Sequence, residues 1–245
     1  MSSEFHTCGM SCSFRRAFIF SDMRHSFHTV LCALVILCLI STGVSGQSQS
    51  GPERFRKEVT EMMDRPVPST DKIILFTGSS SIRMWGDIGN YFPDYNIVNR
   101  GFGGSQTSDL LYFADQLIFT MKPSKIFIYE GDNDLASGKT SAQIMATTDS
   151  LLQRIRKQYP TSVRVYFISP KPSVARWNLK DAYIEHSRNL KKWTRRKKNV
   201  FYVDGWTSLV DNNGNVLTDI FMPDNLHLNK KGYDLWSTGI RKYLR

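Results

Sequence analysis

Five short runs of β-forming apolar residues alternate with stretches of helical period, and this alternation constrains the chain more than any other feature. The runs are Ile73 to Thr77, Ile97 with Val98, Lys125 to Tyr129 (KIFIY), Val163 to Ile168 (VRVYFI) and Val200 to Val203 (VFYV). They are short and largely apolar, as strands buried on both faces are. Helix-period stretches run from Ser105 to Thr120, Ser141 to Tyr159, Asp181 to Lys197 and Lys230 to Leu244. An amphipathic piece carrying Phe55, Val59, Met62 and Met63 leads into the first strand and ends in a turn at Pro66 and Pro68. Strand and helix in alternation imply right-handed βαβ crossovers, hence an α/β fold whose parallel sheet is covered on both faces. The ligand crevice of such a sheet lies beyond the carboxyl ends of its strands, so residues that carry chemistry are expected just after a strand.

With 245 residues, 41% of them hydrophobic, the chain has material for one sizeable core. Intrinsic disorder, collagen and polytopic membrane classes are excluded. All four cysteines (Cys8, Cys12, Cys32, Cys38) precede residue 39, so everything downstream works without a disulfide, a thiolate or a cysteine metal ligand. Residues 27 to 40 read FHTVLCALVILCLI, behind Arg24 and His25 and ahead of the small, polar stretch Ser41 to Ser50. This is the layout of a secretory signal, and the run is shorter than the ~20 apolar residues of a spanning helix. Residues 1–46 are therefore expected to be an N-terminal extension and signal peptide, with a signal start at Met23 and cleavage after Gly46. An uncleaved membrane anchor is the alternative. Residues 47–245 are expected to form one domain. The predicted location is secreted or periplasmic, without stable membrane insertion after cleavage.

Gly78-Ser79-Ser80-Ser81-Ile82 follows the first strand. A serine on a strand-to-helix turn has its hydroxyl at the crevice beside helix N-terminal amides, although serines also simply cap helices. Asn99-Arg100-Gly101-Phe102-Gly103-Gly104-Ser105-Gln106 follows the second, a glycine-rich turn into a helix. It is not a dinucleotide loop, because Gln106 stands where the third glycine is needed, and Arg83 rules out a phosphate loop starting at Gly78. Glu130-Gly131-Asp132-Asn133-Asp134 follows the third strand. Its acids read as turn chemistry and helix capping, while the Asn133 carboxamide can bind a carbonyl oxygen without adding charge. Pro223-Asp224-Asn225-Leu226-His227 precedes the last helix, and Asp224 is close enough to hold the His227 ring with one nitrogen as a base. The other downstream histidine, His186, lies beside a basic run from Arg188 to Lys198 and is expected to be exposed. Asp211 to Asn215 lacks the spacing of a calcium loop and reads as a turn.

Those four blocks, in that order, resemble the SGNH (GDSL-like) hydrolase and lipase-acylhydrolase family over nearly all of Lys72 to Leu244. Gly78-Ser79-Ser80 with Trp85 is similar to the family's first block, Gly104 to the oxyanion glycine of the second, Gly131-Asp132-Asn133-Asp134 to the third, and Asp224-Asn225-Leu226-His227 to the last. Ser79 replaces the usual Asp, which leaves Ser79 and Ser81 as alternative nucleophiles, although Ser80 keeps the spacing to Trp85. Ser105 likewise replaces an Asp that often follows the oxyanion glycine. The Gly-x-Ser-x-Gly elbow of ordinary α/β-hydrolases is not matched, since Ile82 stands at its second glycine. The resemblance implies a three-layer α/β/α, flavodoxin-like fold with a five-stranded parallel sheet in the order 2-1-3-4-5. It implies a serine esterase with Ser80 as nucleophile, His227 as base and then acid, and Asp224 orienting it. Ser80 and Gly104 amides with the Asn133 side chain would form the oxyanion hole.

The expected activity is hydrolysis of small acyl groups, such as acetyl esters of carbohydrates, through an acyl-enzyme. No long apolar insertion supplies a lipase lid, and the loops Pro170 to Asn178 and Asp204 to Pro223 are of mixed polarity. No cofactor and no metal are implied. The alternatives are an acyltransferase on the same scaffold and a non-catalytic carbohydrate or surface-binding module. The expected partner is a small-molecule or glycan ester. A net charge of +10 raises a polyanion, but a basic helix face is usually solvated and no interleaved aromatic platform argues for nucleic acid. Trp85, Phe102 and Trp177 are candidates to line the pocket, with core packing the alternative for Trp85.

Overall fold

Successive residues of a buried strand point to opposite sides of the sheet, and the five apolar runs use both sides. They form β1 (Ile74–Gly78), β2 (Ile97–Gly101), β3 (Lys125–Tyr129), β4 (Arg164–Ile168) and β5 (Val200–Val203) in a computed structural model describing residues 51–67 and 71–245. All neighbours pair in parallel and the order is β2-β1-β3-β4-β5, as the resemblance implied. The expectation of a signal peptide falls outside the described residues. Among the described residues, no helix is long and apolar enough to cross a membrane.

The helices are α1 (Arg56–Met63), α2 (Ser80–Arg83), α3 (Ile88–Tyr91), α4 (Thr107–Tyr112), α5 (Ala114–Leu117), α6 (Asp132–Ala136), α7 (Ser141–Gln158), α8 (Lys180–Thr194) and α9 (Lys230–Arg241). The single helix expected from Ser105 to Thr120 is broken at Phe113, whose backbone leaves the helical region and whose ring is buried against Phe102. On one side of the sheet Leu75, Ile126, Ile128, Val165 and Phe167 pack with Leu110, Leu151, Ile155 and Leu190 from the covering helices. On the other, Phe76, Phe127, Tyr129, Tyr166 and Ile168 pack with Ile82, Trp85, Tyr233 and Trp236. Trp85 and Phe102 are thus core residues, and Trp177 instead stacks on Trp206, with ring centroids 5.9 Å apart. Losing a buried ring as large as Trp85 costs about 3–5 kcal/mol in comparable cores.

The parallel register aligns four rings straight across the sheet. Phe76, Phe127, Tyr166 and Phe201 are partners on β1, β3, β4 and β5. Their centroids are 4.5, 4.4 and 4.9 Å apart in turn, and the rings are nearly parallel.

Candidate active site

The chain can turn out of β1 because Gly78 has φ 118°, and a Cβ there would run into the Tyr129 carbonyl. Ser79 N–H donates to that carbonyl at 3.0 Å, and Ser80 opens α2. As the first residue of a helix, Ser80 has an N–H with no intrahelical acceptor, which leaves it available to a ligand. Neighbouring elements brace the turn. Asn99 Nδ2 donates to the Ile82 and Trp85 carbonyls at 2.7 and 3.0 Å, and the Tyr233 hydroxyl donates to the Ser81 carbonyl at 2.9 Å. Ser80 is left 9% exposed, against 2% for both Ser79 and Ser81.

His227 reaches it from a loop closed by Phe221 and Leu228, which form an isolated antiparallel bridge. Met222 N–H donates to the His227 carbonyl at 2.7 Å, and Asn225 takes a left-handed conformation, which Asn tolerates, at φ 56°. Asp224 Oδ1 accepts the N–H groups of Leu226 and His227 at 2.9 and 3.0 Å, and Oδ2 accepts from His227 Nδ1 at 2.6 Å. Partial burial pushes the Asp224 carboxyl up, but the bonds from the ring and these amides outweigh it and bring it down to about 2. With Nδ1–H committed to Asp224, Nε2 is an acceptor, and it lies 2.9 Å from Ser80 Oγ. Neither neighbouring serine has such a contact: Ser79 Oγ accepts from Asn133 Nδ2 at 2.8 Å.

The Asn133 carboxamide is clamped from three sides. Its Nδ2 also donates to the Ser105 carbonyl at 2.9 Å, while Arg176 Nη2 donates to its Oδ1 at 2.9 Å. A Cβ on Gly104 would stand 3.9 Å from Asn133 Nδ2, which puts the Gly104 backbone beside that amide. Arg176 is held in turn by Asp132, whose Oδ1 accepts from Nη1 at 2.6 Å and from the Tyr183 hydroxyl. Asp132 Oδ2 accepts from the Tyr129 hydroxyl at 2.8 Å and lies 4.0 Å from Lys171 Nζ. Burial pushes the Asp132 carboxyl up, but the Lys171 and Arg176 charges and the hydrogen bonds of Tyr183 and Arg176 hold it below its ordinary value. Fully buried Lys171 donates to the Leu226 carbonyl at 2.6 Å, directly before His227. One buried carboxylate therefore anchors cations that reach both the Asn133 side and the His227 side of Ser80. Sequence reading missed Arg176 and Lys171; the only signal was two cations in a loop just after β4.

The remaining acids after β3 have structural partners. Asp134 Oδ2 accepts from Thr107 N–H and Oγ1 at 2.9 and 3.1 Å, and its Oδ1 from Lys139 Nζ at 2.9 Å. Burial, reinforced by the Asp134 charge, pushes the Glu130 carboxyl well up, and Ser105 Oγ donates to it at 2.7 Å. Among the described residues, no group of three or more His, Cys, Asp or Glu side chains is placed to hold a metal. Asp211 caps a turn, accepting from Asn213 and Asn215 N–H.

His186 is a correction. It is buried, 2% exposed, with Nδ1 3.1 Å from Ser141 Oγ. Arg188, Lys191 and Lys192 of the basic run occupy other faces of α8 and the rest of the run follows its end, whereas Tyr183, His186 and Leu190 share the helical stripe that packs inward. Burial drives its pKa down to about 4 against a smaller opposing pull from Asp134.

The model of the GDSL-like Lipase/Acylhydrolase family matches residues 75–235. No curated protein matches the chain. Among solved structures, a protein from Streptococcus pneumonia is similar with a TM-score of 0.68 and 22% identity, over 87% of this chain and 99% of that one. A GDSL-like lipase from Bacteroides thetaiotaomicron is similar with a TM-score of 0.65 and 17% identity, over 79% of this chain and 98% of that one. A catalytic mutant of an acetylxylan esterase from Geobacillus stearothermophilus gives 0.58 and 14%, over 73% and 96%. At these identities the likeness is one of fold.

Proposed function

This chain belongs to the GDSL-like Lipase/Acylhydrolase family, and from that premise we propose that it is a serine esterase which removes small acyl groups from polar alcohols, acetylated carbohydrates among them. The family acts on ester bonds in general; the nucleophile, the acyl size and the alcohol are the proposal. The observation that carries it is the unbroken chain from Ser80 Oγ to His227 Nε2 at 2.9 Å and from His227 Nδ1 to Asp224 Oδ2 at 2.6 Å.

In the proposed reaction Ser80 Oγ attacks the ester carbonyl carbon as its proton passes to His227 Nε2, and Asp224 stabilises the imidazolium that forms. The carbonyl oxygen becomes an oxyanion received by the N–H groups of Ser80 and Gly104 and by Asn133 Nδ2, which trades its bond to Ser79 Oγ for the stronger charged acceptor. Collapse of the intermediate breaks the ester C–O bond, and His227 returns the proton to the leaving alcohol. Water, deprotonated by the same nitrogen, then releases the acid and regenerates Ser80. The reading also holds residues 1–46 to be a leader and the remainder to be the secreted enzyme, as the charged, apolar and small-residue layout before Gln47 supports.

A series of p-nitrophenyl esters from two to twelve acyl carbons tests the substrate reading. Acetyl and butyryl esters are expected to give the highest kcat/KM, with no jump in rate on emulsified triglyceride and with acetate released from acetylated xylan. A kcat/KM that climbs to the twelve-carbon ester, or interfacial activation, overturns it in favour of a lipase.

A further inference from the structure

The ring ladder across the sheet does not end inside the protein. Its last member, Phe201 on edge strand β5, rests one face on Tyr166 and is 37% exposed. No other described aromatic ring stacks on its outer side. Phe201 lines an open cleft of about 590 Å³ along β5 together with Lys191, Arg195, Lys197, Tyr202, Lys242 and Tyr243. Neither Ser80, Asn133, Asp224 nor His227 lines it.

The charge of this cleft is largely uncompensated. Lys197 pairs with Asp149 at 2.9 Å, but Lys191, Arg195 and Lys242 enter no ion pair among the described residues. The one carboxylate in the lining, Asp204, accepts from the N–H groups of Trp206 and Thr207 and from the Thr207 hydroxyl and also feels the Lys191 charge, which leaves Arg195 and Lys242 without a counter-charge in the cleft. Lysines beside an edge strand discourage other strands from pairing with it, which would account for the charge alone. It does not account for an exposed phenyl ring among them, which is a liability at a sheet edge.

The aromatic faces sort the candidate ligands. Lys191 Nζ stands over Tyr202 at 5.6 Å and Lys242 Nζ over Tyr243 at 5.1 Å, so each tyrosine already has a cation over one face. Phe201 is partly exposed, with Tyr166 stacked on it and no cation over it among the described residues. Single-stranded nucleic acid is held by a succession of aromatic platforms along its backbone, which one ring does not provide. Phe201 on one side of the edge strand and Lys191 over Tyr202 on the other give the cleft one ring face and cations on both sides of the strand. This suits a short run of acidic sugars, one resting its C–H face on the phenyl group while the carboxylates meet the ammonium and guanidinium groups.

We propose that the cleft along β5 binds an acidic polysaccharide of uronate type, with Phe201 as the sugar platform and Lys191, Arg195 and Lys242 as the carboxylate partners. The site is separate from the ester chemistry and stands whether or not that reading holds. It would hold the enzyme on an anionic glycan matrix.

Affinity electrophoresis of the intact protein through gels containing polygalacturonate, with hydroxyethyl cellulose gels as the neutral control, tests this. The wild type is expected to be retarded by polygalacturonate only, and less so as salt rises. Phe201→Ala should weaken retardation at least about tenfold, while hydrolysis of p-nitrophenyl acetate stays at the wild-type rate. Should that variant be unstable, the double variant Lys191→Glu with Lys242→Glu, at two exposed positions, should abolish retardation. Absence of retardation in the wild type, wild-type retardation in folded Phe201→Ala, or wild-type retardation in the double variant overturns the proposal. Release of polygalacturonate by an equal mass of single-stranded DNA or anionic phospholipid vesicles would also overturn it, assigning the cleft to a general polyanion.

Discussion

Arg176 donates from Nη2 to Asn133 Oδ1 at 2.9 Å while its Nη1 is tied to Asp132 at 2.6 Å. The guanidinium thereby settles which end of the carboxamide meets Ser79 Oγ and the Ser105 carbonyl, because only the oxygen can accept from it and the NH2 group must turn the other way. Lysine cannot make both bonds with the same planar geometry. We expect Arg176→Lys to lower kcat on p-nitrophenyl acetate on the order of tenfold with KM nearly unchanged, a smaller loss than the ~10²–10³ expected of Asn133→Ala as a deleted oxyanion donor. Steady-state kinetics of the two variants decide it. A change confined to KM in Asn133→Ala would place that side chain on ground-state substrate instead.

Of the three adjacent serines, only Ser80 has its hydroxyl on the His227 ring. Ser80→Ala should therefore abolish esterase activity with the thermal unfolding midpoint retained, and His227→Ala should be similarly inactive. Ser79→Ala, Ser81→Ala and His186→Ala should all keep the chemistry. Labelling by an organophosphonate, followed by peptide mass analysis, reads the nucleophile directly. Label on Ser79 or Ser81, or activity that survives in His227→Ala and fails in His186→Ala, would contradict the assignment.

His186 gives a pH dependence of stability with a definite sign. Burial lowers its pKa from 6.5 to about 4, so between those values the unfolded chain binds a proton that the folded protein does not. Stability from this residue is complete above pH 6.5 and declines as the pH falls toward 4. The decline between pH 7 and pH 5 is on the order of 2 kcal/mol. His186→Gln, which does not titrate, should narrow the gap between urea unfolding free energies measured at those two pH values by about that amount. An unchanged gap would show that His186 is already protonated in the fold.

The five strands were legible because each apolar run must be buried on both faces, a property visible in a few consecutive residues. The blocks that carry Ser80, Gly104, Asn133, Asp224 and His227 were legible because each follows a strand or precedes a helix, whereas picking out Ser80 and Gly104 within them came from the resemblance of the four blocks to the family. The break at Phe113 was not legible, since the residues on either side keep a helical period and only the burial of the Phe113 ring against Phe102 favours the interruption. His186 was read from its charged neighbours when its phase with Tyr183 and Leu190 was the better guide.

What the sequence alone determined is local in origin: the alternation of strand and helix, the parallel α/β class, and the short motifs whose members are neighbours along the chain. What only the tertiary structure decided is every relationship between side chains far apart in sequence. Arg176 reaches Asn133, Lys171 reaches the carbonyl before His227, and the rings of Phe76, Phe127, Tyr166 and Phe201 fall into line. The physical reason is that periodicity reports which face of an element is buried and carries no information about which residue of another element meets it there. Strand order, register and the turns at strand ends set those meetings, and they exist only once the sheet has closed its two cores.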